Sequence, residues 1–171
     1  MGDTISFSGG AIDPQDGTLP ASALSWSLVL HHCDSGGNCH QHPLQNWPGV
    51  ASGSFSAPDH AYPSYLQLSL TATDSGGLTA TKTVRLDPRT VALTFQTSPG
   101  GLQLTVGSTT ATSAFTRTVI VGSKNSISAI SPQQKAGKNY VFRSWSDGGA
   151  QTHDIIAPAS AATYTARYRR G

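Results

Sequence analysis

Apolar and polar residues alternate in short runs along the whole chain, and no run keeps a helical period for long. Trp26-Ser27-Leu28-Val29-Leu30 sets large apolar residues against smaller ones, the pattern of a half-buried strand. Comparable runs fall at 4–7, 65–72, 79–86, 91–97, 102–106, 116–121, 126–130, 140–145, 152–156 and 163–168. Clusters of Gly, Pro, Asp and Ser separate them. Strands at this spacing predict an all-β protein of sandwich type. Asp87-Pro88-Arg89 closes one clear strand and precedes a new alternating one, which predicts two tandem small β domains, 2–88 and 89–171. So short a linker predicts a rigid pair.

Composition narrows the class. Charged residues make up 12% of the 171, with 18 Gly and 10 Pro. That is about half the usual charged share. A surface of Ser and Thr in place of Lys and Glu is common in secreted all-β modules. The net charge of +2 is too small a bias for a nucleic-acid partner. Arg167, Arg169 and Arg170 read as a solvated basic tail. No run has the length of a membrane span, and no signal peptide is present. Met1-Gly2, followed at once by strand-like sequence, reads as the start of an excised fragment of an extracellular protein, so the missing signal says nothing of the parent.

Unusual chemistry concentrates in His31 to Pro43, HHCDSGGNCHQHP, which holds four of the six histidines and both cysteines. Asp34-Ser35-Gly36-Gly37-Asn38 is turn chemistry, because Gly and Asn tolerate positive φ. The segment predicts a hairpin with Cys33 and Cys39 facing each other across its tip. A disulfide there needs an oxidising compartment and contributes roughly 2–3 kcal/mol. On a strand His31 and His32 point to opposite faces, whereas His40 and His42 share one. His32, His40 and His42 therefore form a candidate three-histidine site for zinc or copper, with Asp34 or Asp59 as possible supporting carboxylates. Reduced thiols would be rival ligands. The plainer alternative is histidines that cap a hairpin and bond its backbone.

Two resemblances extend this picture. Gly2-Asp3-Thr4-Ile5-Ser6-Phe7-Ser8-Gly9, Ala11-Ile12-Asp13-Pro14-Gln15-Asp16-Gly17 and Leu68-Ser69-Leu70-Thr71-Ala72-Thr73-Asp74-Ser75-Gly76-Gly77-Leu78 come in an order that resembles PKD-type, immunoglobulin-like and cadherin-like modules of secreted bacterial proteins. The hairpin is similar to an HH…HxHP variant in modules attached to secreted sugar-dehydrogenase-like and glycan-active enzymes. The resemblance implies an immunoglobulin-like sandwich over 2–88 with Trp26 as core anchor. Related calcium-dependent modules gather acidic turns at one end, which implies Asp13, Asp16 and Asp74 as candidate Ca²⁺ ligands. Residues 91–169 resemble divergent B-repeat-type modules through Ser98-Pro99-Gly100-Gly101-Leu102 and Tyr140-Val141-Phe142-Arg143-Ser144-Trp145-Ser146-Asp147-Gly148-Gly149. That implies a small noncatalytic β fold, with Phe142 and Trp145 as anchors and His153 facing solvent.

No catalytic motif appears: no GxSxG, no Walker loop, no HExxH. The chain has no Glu, and its nine acids are Asp, mostly in turn contexts. A glycosidase pair of carboxylates is therefore not expected. The expectation is a noncatalytic accessory region, a spacer and stabiliser whose partner is the rest of a larger secreted enzyme. One alternative is polysaccharide binding by Trp47, Tyr62 and Tyr65 in a region, 43–65, that reads as an irregular recognition loop. The other is metal binding by the hairpin.

Overall fold

The computed structural model describes residues 1–34 and 36–171 and is built almost wholly of strands. Ser35, in the middle of the predicted hairpin turn, lies outside the described residues. The chain divides into two compact units, residues 1–88 and 89–171.

The first unit contains β1 (Thr4–Ser8), β2 (Ile12–Asp13), β3 (Gly17–Thr18), β4 (Leu24–Cys33), β5 (Cys39–Pro48), β6 (Ser52–Ser56), β7 (Ser64–Thr73) and β8 (Thr79–Leu86). An antiparallel sheet runs in the order β5-β4-β7-β8. β1 and β6 form a second, two-stranded layer. Leu24, Trp26, Leu28 and Leu30 of β4 alternate inward with Leu66, Leu68, Leu70 and Ala72 of β7. Phe7 of β1 and Phe55 of β6 close over them in one core, a sandwich-like arrangement. Trp26 is 7% exposed and its indole N–H donates to the Val50 carbonyl at 3.1 Å. The polar edge of the ring is thereby satisfied, as burial of a Trp requires.

Two strands run through the region read as irregular. β5 carries Pro43 and Pro48 and has few strand-forming residues, which hides it from a propensity reading. It is an edge strand, exposed at every position but Trp47, and an edge tolerates proline because one row of its N–H groups has no ladder partner. β6, Ser-Gly-Ser-Phe-Ser, has one large apolar residue. Its Gly53 pairs with Phe7, and a Cβ built there would lie 2.6 Å from the Phe7 ring. Gly53→Ala should therefore overpack this core and cost about 1–3 kcal/mol in urea unfolding of the first unit.

The turn between β2 and β3 is tied to the turn between β7 and β8. The Asp16 carboxylate accepts from Ser75 N at 2.7 Å and Ser75 Oγ at 2.8 Å, across 59 residues. These bonds hold the Asp16 carboxyl below the usual carboxylate range.

The second unit contains β9 (Thr90–Ser98), β10 (Gln103–Val106), β11 (Thr109–Thr112), β12 (Phe115–Ile120), β13 (Lys124–Ala129), β14 (Gln133–Lys135), β15 (Lys138–Trp145), β16 (Thr152–Ile156) and β17 (Ala162–Arg170). One sheet has the order β12-β9-β17-β15-β14, with β9 and β17 parallel; the other has the order β11-β10-β13-β16. Leu93, Phe95 and Ala166 of the first sheet meet Leu104, Ile127 and Ala129 of the second in one core with no exposure. Arg167, Arg169 and Arg170 are exposed positions of strand β17 and not a tail.

His153 does not face solvent. Its side chain is 17% exposed, with Nδ1 2.7 Å from the Ala150 carbonyl and Nε2 2.9 Å from Asp147. On β16 it shares the face of buried Ile155 and pairs with buried Ile127, so strand alternation itself turns it inward, and Gly149 of the 146–149 turn lies against its ring.

Candidate functional site

The hairpin tip is built by its aspartate. Asp34 Oδ1 accepts from Gly36 N at 2.8 Å and Asn38 N at 2.9 Å, and Asn38 Nδ2 donates to Oδ2 at 3.1 Å. The Asp34 N–H donates to the Asn38 carbonyl at 2.9 Å, and Gly37 takes φ +85°, where a side chain would be strained. The Asn38 bonds first, then the Gly36 and Gly37 N–H groups, hold the Asp34 carboxyl below its usual range. Asp74-Ser75-Gly76-Gly77-Leu78 repeats the device. Asp74 Oδ1 accepts from Leu78 N at 2.7 Å, and Gly77 again has φ +85°.

Cys33 and Cys39 form a disulfide at the last rung of the β4–β5 ladder. Closing so short a loop contributes about 2 kcal/mol. Because the Asp34 bonds close the same turn, Cys33→Ser with Cys39→Ser should lower the stability of the first unit by about that amount or less, and circular dichroism should show an unchanged strand signal.

The next rung pairs His32 with His40, and Leu30 pairs with His42. His32, His40 and His42 therefore share the face of Leu30, at the open end of the core. His60 joins them from segment 57–63. That segment is anchored at both ends: Ala57 N donates to the Asp3 carbonyl, and Cys33 N to the Pro63 carbonyl, each at 2.9 Å. Ring centres lie 5.0 Å apart for His32–His40, 4.7 Å for His40–His42, 5.7 Å for His42–His60 and 4.5 Å for His32–His60. The four contacts close a circuit. Most of the rings stand edge to face, and as the side chains stand no group of three or more His, Cys or Asp among the described residues is placed to hold a metal ion. Burial, then the neighbouring His60, His40 and His42 rings, push the His32 imidazole below its usual pKa.

Sequence reasoning missed His60. Its place in the circuit depends on how segment 57–63 returns from β6 to β7, and no spacing in the chain encodes that.

The other expected sites are placed differently. Asp13 Oδ1 accepts from Gln15 N and Asp16 N, Asp16 holds Ser75, and Asp74 holds Leu78 N. The three candidate calcium ligands thus act as backbone acceptors in turns. Trp47 lies against Phe7 and Phe55, ring centres 4.8 and 6.1 Å away, so it packs on the core and lies in β5, not in a loop. Tyr65 stacks flat on buried His31 at 4.5 Å, and the Arg85 guanidinium lies 3.7 Å from its centroid. β4 and β8 flank β7, so these two neighbours cover opposite faces of the ring. Arg85 is itself held by Asp87 at 2.8 Å. Of the three aromatics expected to offer sugar platforms, Tyr62 alone is open, at 44% exposure.

A cavity of about 420 Å³ lies in the second unit, lined by Pro132, Gln133, Gln134, Asn139, Tyr140, Val141 and Gly171. No helix is long and apolar enough to cross a membrane among the described residues. No family model, curated protein or solved structure matches this chain.

Proposed function

We propose that this chain is a noncatalytic accessory region of a larger secreted bacterial enzyme, acting as spacer and stabiliser. One observation carries this reading: seven of the nine carboxylates are spent on structure. Asp13, Asp16, Asp34, Asp74 and Asp147 accept backbone N–H groups, while Asp87 and Asp154 pair with Arg85 and Lys124. A carboxylate doing acid–base work must instead face a space where substrate can sit. The disulfide and the resemblance to PKD-type modules favour secretion. Deleting both units from the parent enzyme should leave kcat unchanged and lower its thermal midpoint. A fall in kcat in a well-folded truncated enzyme would overturn the reading, because it would mean that the region holds part of the active site.

Carbohydrate binding is the second reading, favoured by the exposure of Tyr62 beside His60. Retention on insoluble polysaccharide that Tyr62→Ala abolishes would support it; equal elution of both proteins in the void volume would end it.

A further inference from the structure

We propose that His32, His40, His42 and His60 together bind one late first-row divalent cation, with Cu²⁺ held more tightly than Ni²⁺ or Zn²⁺. Three separate pieces of chain deliver these side chains to one place: β4, β5 and segment 57–63. Imidazoles on a shared ion, with metal–nitrogen bonds of about 2.0–2.1 Å, have ring centres about 4.5–5 Å apart in square or tetrahedral arrangements. The circuit has separations of 4.5, 4.7, 5.0 and 5.7 Å. Three of the four separations stand at that spacing; the His42 and His60 rings, 5.7 Å apart, must draw together by rotation about χ1 and χ2 when the ion is taken up.

The frame around the cluster suits this role. The β4–β5 ladder, the disulfide and the Asp34 turn fix His32 and His40, while segment 57–63 is pinned at both ends with His60 in its middle. Nδ1 of His60 lies 3.2 Å from the Ala61 carbonyl. A proton on that nitrogen leaves Nε2 to ligate, the usual division of labour in a metal-bound histidine. The donor set also selects the ion. Cys33 and Cys39 are consumed by their disulfide and sit on the face opposite His32 and His40, so no thiolate competes. An all-imidazole set disfavours Ca²⁺ and Mg²⁺, which take oxygen, and gives the order Cu²⁺ first among the late divalent ions. Four adjacent imidazoles repel one another when protonated, so uptake competes with protons and weakens as pH falls.

The test uses the full chain, stripped with chelator and dialysed. Titration with Cu²⁺, Ni²⁺ and Zn²⁺ should give one ion per chain by calorimetry, and the Cu²⁺ form should show nitrogen hyperfine structure in its electron paramagnetic resonance spectrum. His60→Ala should weaken Cu²⁺ binding by about 100-fold or more, since loss of a ligand exceeds the effect of losing an outer-shell partner. It should also remove one nitrogen from the hyperfine pattern. His60→Gln repeats the test should the alanine variant lose its near-ultraviolet dichroism. His153→Ala, in the second unit, should bind as the unaltered chain does. No binding of any of the three ions overturns the proposal. So does undiminished Cu²⁺ affinity in the folded His60 variants, which would reduce the site to an adventitious His40–His42 pair, and so does displacement of Cu²⁺ by equimolar Ca²⁺.

Discussion

Phe95→Ala should unfold the second unit at ordinary temperatures while the first unit keeps its own transition. Phe95 is fully buried, with Phe115 and Tyr164 ring centres both 5.7 Å away. Truncation removes the ring and leaves a cavity between two sheets whose ladders limit collapse, a loss of about 3–5 kcal/mol. That approaches the whole stability of a small domain, about 5–15 kcal/mol. The buried residues form two separate clusters, one in each unit. Trp26→Ala should act as the mirror experiment, since it removes the 7%-exposed indole and its bond to Val50 from the other core. Calorimetry of both variants should show one shifted and one unshifted transition, with the shifted one exchanged between them. A single transition that moves as a whole in both variants would show that the units unfold cooperatively.

The parts of this fold that could be read from sequence are those with a local physical cause. Alternation along Leu24 to Leu30 and along Leu66 to Ala72 reports two inward faces, because strand side chains switch sides at every residue. The Asp-x-Gly-Gly turns at 34–37 and 74–77 are legible because an Asp acceptor and a positive-φ Gly are chemical requirements of the turn itself. The disulfide was readable from two cysteines set around one such turn. β5 and β6 were not legible, since their pairing is decided by β4 and β1 and not by their own propensities. The same limit hid part of the candidate site. His32, His40 and His42 follow from strand geometry alone. His60 is brought in by tertiary anchoring, and Tyr65 loses its open faces only because His31 and Arg85 flank it in neighbouring strands.

Gly149→Ala should destabilise the second unit by about 2–3 kcal/mol although no atom is removed. A Cβ at position 149 would lie 2.2 Å from His153 Nε2, so the imidazole must leave. It would give up its contacts with Ala150 and Asp147 and its edge-to-face packing on Trp145, 5.9 Å away. Both ring nitrogens lie against oxygen, Nδ1 against the Ala150 carbonyl and Nε2 against the Asp147 carboxylate. The same pair predicts acid lability. Burial raises the Asp147 carboxyl, but the His153 bond and the Gly149 N–H outweigh it, and the folded-state pKa ends below its unfolded value. A depressed carboxylate contributes its stability in full above the unfolded value of about 3.9 and loses it as pH falls through the lower folded value. The transition of the second unit should therefore move down steeply below about pH 4. Asp147→Asn should start from a lower midpoint at neutral pH, by about 1–2 kcal/mol, and lose part of that slope. In Gly149→Ala the carboxylate has already lost its partner, so adding Asp147→Asn should change little more. Full additivity of the two substitutions would show that the ring and the carboxylate act independently.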